Sequence, residues 1–115
     1  MLRGEIRMVY LDSVRSGEAN KTRPAVIVSN DGANGAAAQS NRGVVTVLPL
    51  TSNVSHVYPF QVLIRATEAG LDRDSKVQAE QVRSVSVGRI LTRIGRIPPD
   101  RMEEVDEALR LHLAL

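Results

Sequence analysis

The chain has 115 residues, 43% of them hydrophobic, with 15 basic and 13 acidic side chains and a formal charge of +2; at roughly 100 residues per domain this fits one domain over 1–115 with one small core. There is no cysteine, and His56 and His112 are the two histidines, so disulfides, thiolate metal sites and cysteine nucleophiles are excluded and a protein without metal or cofactor is the simplest reading. No N-terminal stretch joins a basic flank to an apolar export segment, and the apolar runs are strand-length, so the chain reads as cytoplasmic with no membrane contact.

Glu5 to Leu11 alternates apolar and polar residues and predicts a strand, and Thr22 to Ser29 predicts a second, with Val26 and Val28 on one face. Between them Asp12 to Asn20, with Gly17 and several turn formers, predicts an exposed loop ending beside Arg23. Asn30 to Asn41 is polar and Gly/Ala-rich without a marked helical period, and predicts a mobile loop. Val44 to Leu50 is a third strand and Tyr58 to Ile64 a fourth. Lys76 to Val85 is a fifth, with Val77, Ala79 and Gln81 on one face and Gln78, Glu80 and Val82 on the other. The connection Thr51 to Val57 is too short for a parallel crossover, which favours antiparallel pairing in a strongly bent sheet or small barrel. Gly88 and Gly95 break any long helix over Arg89 to Ile97, leaving a turn and a short strand near Arg93 to Ile97. A helix is predicted from Pro98-Pro99-Asp100 to about Leu113, since proline suits a first helical turn and an acid suits its positive end. Met102, Val105, Leu109 and Leu113 form its apolar stripe, which packs on the sheet or on a second subunit.

The acids concentrate in this last helix, at Asp100, Glu103, Glu104, Asp106 and Glu107, leaving the body basic. That asymmetry suits an anionic partner held by phosphate contacts, although an ordinary solvated surface has the same composition. The aromatics are Tyr10, Tyr58 and Phe60, too few for a broad base-stacking platform. Two segments carry the chemistry. Lys21-Thr22-Arg23-Pro24 precedes the run Ala25 to Val28, and Leu48-Pro49-Leu50-Thr51-Ser52 closes the third strand. Arg23 is a permanent, multiply donating cation and Thr51 a hydroxyl just past a buried strand, a pairing that fits phosphoryl chemistry or nucleic-acid binding.

Arg3-Gly4-Glu5-Ile6, Gly17-Glu18, Lys21 to Asn30, Pro49-Leu50-Thr51-Ser52, Gly70-Leu71-Asp72-Arg73-Asp74-Ser75, Glu80-Gln81-Val82-Arg83-Ser84, Arg89-Ile90-Leu91 and Ile94-Gly95 follow in order across nearly the whole chain. In series they resemble the MazF/PemK family of toxin endoribonucleases. The resemblance implies a mainly β fold with an SH3-like, plasmid-maintenance-toxin barrel of five to six mostly antiparallel strands and a C-terminal helix. It also implies a homodimer with a groove for single-stranded RNA, and a cognate MazE-like antitoxin whose acidic tail fills that groove. The reaction it implies is metal-independent cleavage by the ribose 2'-hydroxyl, leaving a 2',3'-cyclic phosphate and a 5'-hydroxyl.

By the same resemblance the catalytic arginine and threonine fall on Arg23 and Thr51. In the PemK branch an acid two residues after an arginine takes part, and those positions here are Glu80 and Gln78; Gln78 departs from the pattern. Glu80 is a candidate base or RNA-binding acid, and the competing reading is an ion pair with Arg83 or a neighbouring strand. Glu18, Lys21, Thr22, Ser52, Gln81 and Arg83 are the expected RNA contacts, since each supplies suitable donors or acceptors. Gly17 stands where many members have serine, and base choice is expected from Asp12 to Asn20 and Ser52 to Tyr58. The alternatives are a gyrase-binding toxin of the CcdB type, which shares the barrel and needs no Arg/Thr site, and a catalytically dead RNA-binding homologue.

Overall fold

A computed structural model of the chain describes residues 1–11 and 22–115, so the predicted loop at Asp12 to Asn20, and with it Gly17 and Glu18, lies outside the described residues, as does Lys21. Where the sequence alternates, strands form: β1 (Glu5–Tyr10), β2 (Thr22–Ile27), β3 (Val44–Thr51), β4 (Gln61–Ile64), β5 (Ser75–Gln78), β6 (Arg83–Ser86) and β7 (Ile90–Arg96). They make an open sheet ordered β4-β5-β3-β2-β1-β7, with β6 also on β3, and every pairing among the described residues is antiparallel.

β3 organises this sheet. One of its edges pairs with β2 through Val47, Leu48 and Pro49. The other pairs with β6 over Val44 to Val47 and then with β5 at Leu50 and Thr51. The single fifth strand expected over Lys76 to Val85 is therefore two strands. A 3-10 turn at Ala79–Gln81, closed by Val82 N–H to Ala79 O at 3.2 Å, separates them. Alternation alone does not reveal the break, because Val77 and Ala79 stay buried on the same side of the chain through it.

The core lies on both faces of the sheet. Val26, with Ile6, Leu48, Leu50, Ile64 and Val77, packs toward α3 (Pro99–Leu113). Its neighbours Ala25 and Ile27 turn the other way, to Val9, Val45, Val47 and Val85. That division explains the unbroken apolar run in β2, which is buried on both faces. In α3, Met102, Val105 and Ala108 are buried and Leu109 packs partly against them, whereas Leu113 lies past the sheet and is exposed.

The segment expected to be a mobile loop at Asn30 to Asn41 is a helix, α1 (Asp31–Ser40). Its ends are capped rather than its face being strongly apolar. The Asn30 side chain accepts from Ala33 N–H at 2.8 Å, and Asn41 closes the helix in the left-handed region at φ 55°. Inward-facing Asn34 is fully buried and donates to Ser29 O at 2.8 Å, while the Ser29 hydroxyl accepts from Thr46 N–H at 3.0 Å. Those bonds fasten α1 to β3. A short helix, α2 (Ala66–Ala69), follows β4 and ends at Gly70, whose φ of 76° is readily available only to glycine. Among the described residues no helix is long and apolar enough to cross a membrane.

Candidate nucleic-acid cleft

Arg23 sits on β2 opposite Val9 of β1, and Thr51 is the last residue of β3. The β2–β3 pairing ends at Ala25 with Pro49, each two residues short of Arg23 and Thr51, so two positions far apart in sequence are carried to the same end of adjacent strands. Both line an open cleft of about 570 Å³. Met8, Pro24 and Leu50 give it an apolar side, and Ser52 adds a hydroxyl. The rest of the lining is Gly70, Leu71, Asp72, Arg73 and Ser75, with Ile94 of β7.

The Thr51 Oγ1 accepts from Asn53 N–H at 3.2 Å, which leaves its own proton to donate. Arg23 is exposed and has no ion pair among the described residues. The cleft therefore offers a charged fork and a hydroxyl donor beside apolar surface, groups of the kind that pair with phosphate oxygens.

The other expected site residues are distributed elsewhere. Thr22 precedes Arg23 at the start of β2, paired with Tyr10. Glu80 and Gln81 lie in the 3-10 turn and Arg83 begins β6; none of the three lines the cleft. Glu80 Oε2 accepts from Gln61 Nε2 at 2.7 Å, and its Oε1 is buried without a hydrogen-bond partner. The ion pair with Arg83 considered from sequence is replaced by this contact to β4.

Asp72, Arg73 and Ser75 are the cleft residues to which sequence reasoning attached no role. Their signal was present, as Gly70 to Ser75 is one of the motifs that carry the resemblance. The loop Ser52 to Tyr58 and the residues after it hold a short aromatic ladder. The His56 and Tyr58 rings are 4.1 Å apart, and those of Tyr58 and Phe60 are stacked at 5.4 Å. Buried Lys76, which pairs with Thr51 across β3 and β5, donates from Nζ to His56 O at 2.6 Å and lies 5.7 Å from the Tyr58 ring centre. A few rings are thus concentrated in one place rather than spread as a platform. Among the described residues no three His, Cys, Asp or Glu side chains converge as metal ligands.

A family model described as the PemK-like, MazF-like toxin of type II toxin–antitoxin systems matches residues 2–113. The chain belongs to that family. Within the PemK/MazF family it is 56% identical over all 115 residues to endoribonuclease MazF9 of Mycobacterium tuberculosis, covering 98% of that protein. A MazE–MazF crystal structure from Deinococcus radiodurans superposes with a TM-score of 0.80 at 25% identity, covering all of this chain and 96% of that one. A mycobacterial endoribonuclease solved with its cognate antitoxin superposes with a TM-score of 0.73 at 22% identity, covering all of this chain and 96% of that one, a likeness of fold. The mainly β sheet with a C-terminal helix is thus the family's architecture.

Proposed function

We propose that this PemK/MazF protein is a toxin endoribonuclease that cuts single-stranded RNA at the Arg23–Thr51 cleft and slows growth by degrading RNA. The observation that carries the reading is the convergence of Arg23 and Thr51 at one cleft, in a chain 56% identical throughout to a protein named an endoribonuclease. The ribose 2'-oxygen attacks the adjacent phosphorus, the bond to the 5'-oxygen breaks, and the 2'-proton is transferred in net to that leaving oxygen. Arg23 offsets the negative charge that grows on the phosphoryl oxygens. Thr51 donates a hydrogen bond to one of them. Arginine keeps its proton at neutral pH, so Arg23 acts by charge and not as a base.

A cognate antitoxin of the MazE type, a homodimer and a cytoplasmic location complete the proposal. Neutralisation follows if an acidic antitoxin segment occupies the cationic cleft in place of RNA. The gyrase-binding alternative of the CcdB type is not favoured, because it requires neither Arg23 nor Thr51.

The test is incubation of purified protein in EDTA with a long mixed-sequence RNA, with ends mapped by primer extension. Discrete cuts bearing 5'-hydroxyl ends, absent in Arg23→Ala and Thr51→Ala, are expected. A folded, antitoxin-free protein that leaves every RNA intact would overturn the reading.

A further inference from the structure

The cleft is lined by β2 and β3 and by the loop from Gly70 to Ser75, and only the strands have so far been given chemistry. The loop carries the cleft's second guanidinium, that of Arg73. We propose that Arg73 is a second phosphate-binding residue, holding an RNA backbone phosphate next to the one engaged by Arg23. This rests on the RNA-cleaving reading above.

The loop backbone is fastened at both ends. Gly70 N–H and Leu71 N–H both donate to Ala66 O at 3.0 Å, closing α2. Asp74 Oδ1 accepts from Ala66 N–H at 2.8 Å, and its Oδ2 accepts from Arg65 Nη1 at 3.2 Å. The Ser75 hydroxyl donates to Arg73 O at 3.2 Å. From beneath, Gly95 of β7 approaches so closely that a Cβ there would lie 2.1 Å from Ala69 O. A backbone tied in this way loses little further freedom when a ligand binds, which favours affinity.

The Arg73 side chain is left available. Of the two acids that flank it in the chain, Asp74 has both oxygens engaged with α2 and Arg65, and Asp72 lines the cleft without pairing with it; Arg73 has no ion pair among the described residues. Arg73 is exposed and lines the same cleft as Arg23, as do apolar Leu71 and Ile94. Apolar neighbours reduce local solvent screening and strengthen a charge-assisted bond. The two cations engage successive phosphates of one strand, and so fix the strand's course past Thr51.

The experiment measures binding of an RNA carrying the mapped cut site, blocked by a 2'-O-methyl group at the cleaved residue, across a salt series. Wild type is compared with Arg73→Gln, Arg73→Lys and, as a control away from the cleft, Arg110→Gln. Each phosphate contact on a single strand contributes about 0.7 to the slope of log affinity against log salt. Arg73→Gln is expected to flatten the slope by about that amount and to weaken binding about tenfold at low salt. Arg73→Lys should keep the slope while binding more weakly, as a point charge replaces a fork. Thermal unfolding should not change, and in cleavage the loss should fall mainly on KM. An unchanged slope in Arg73→Gln, or an equal flattening in Arg110→Gln, overturns the assignment. If wild type cuts RNA and the Arg73→Gln slope is unaltered, only this inference falls; if wild type neither cuts nor binds RNA, the underlying reading falls with it.

Discussion

At the residue scale, Arg23 and Thr51 are predicted to be separable from the fold. Arg23 is exposed and Thr51 half-buried at a strand end, so replacing either by alanine opens no core cavity. Each substitution should lower the cleavage rate on the order of 10²-fold, the scale of losing one charge-stabilising donor, with a thermal midpoint close to wild type. Coincident loss of rate and midpoint would show that they act through structure instead. Glu80 provides the contrast. One of its oxygens accepts from Gln61, and neither Glu80 nor Gln61 lines the cleft. Glu80→Gln keeps a hydrogen-bonding group of the same size and removes a half-buried carboxylate whose Oε1 is buried without a partner. It is therefore expected to hold or raise the midpoint and to cost far less rate than Arg23→Ala. A loss equal to that of Arg23→Ala would restore the carboxylate to the reaction.

At the element scale, the loop after α2 depends on Asp74. The Ala66 N–H bond holds the Asp74 carboxyl below its ordinary pKa; desolvation opposes it, and the Arg65 guanidinium adds to the lowering. A lowered folded-state pKa gives stability that is present above the unfolded value, about 3.9 for aspartate, and is lost as the pH falls through the folded value. The midpoint difference between wild type and Asp74→Asn should thus be constant near neutrality and shrink below about pH 4. A difference that persists unchanged into acid would remove the carboxylate's charge from the explanation. Beneath the loop, Gly95→Ala meets backbone rather than a movable side chain. About 1–3 kcal/mol of destabilisation is expected from such overpacking, read by denaturant unfolding.

These elements also show what the sequence makes legible. Strand residues such as Ile6 and Val9 in β1 were readable from the mixed apolar and polar pattern around them, and Val26 and Ile27 from an apolar run of strand length that is buried on both faces. The helix at Pro99–Leu113 was readable from its proline, its early acid and its stripe. The helix at Asp31–Ser40 was missed because Ala and Gly give it little apolar period and its caps are asparagines, which serve turns equally well. Arg23 and Thr51 were legible through motif and meet at one cleft. Arg73 acquires a place only when the chain folds its loop into that cleft, a proximity that no local pattern encodes.

At the scale of the whole molecule, charge is divided between the two ends of the function. A net charge of +2 understates the asymmetry, because Glu103, Glu104 and Glu107 border a separate groove of about 480 Å³ against Pro59, Gln61 and Val62. The cleft proposed for RNA carries Arg23 and Arg73 with Asp72 as its acid among the described residues. An anionic strand is accordingly drawn to one face and repelled from the other, and the attraction falls with salt. With two phosphates engaged at the cleft, the wild-type slope of log affinity against log salt should be at least about 1.4 in magnitude. Charge reversal at Glu103 and Glu104 to lysine should leave most of that slope in place, since those residues do not line the cleft. A double variant that instead abolished cleavage while remaining folded would place the RNA on the helix face. A slope near zero in wild type would mean that RNA is held by contacts other than phosphate neutralisation, and the cationic cleft would then have no role in holding it.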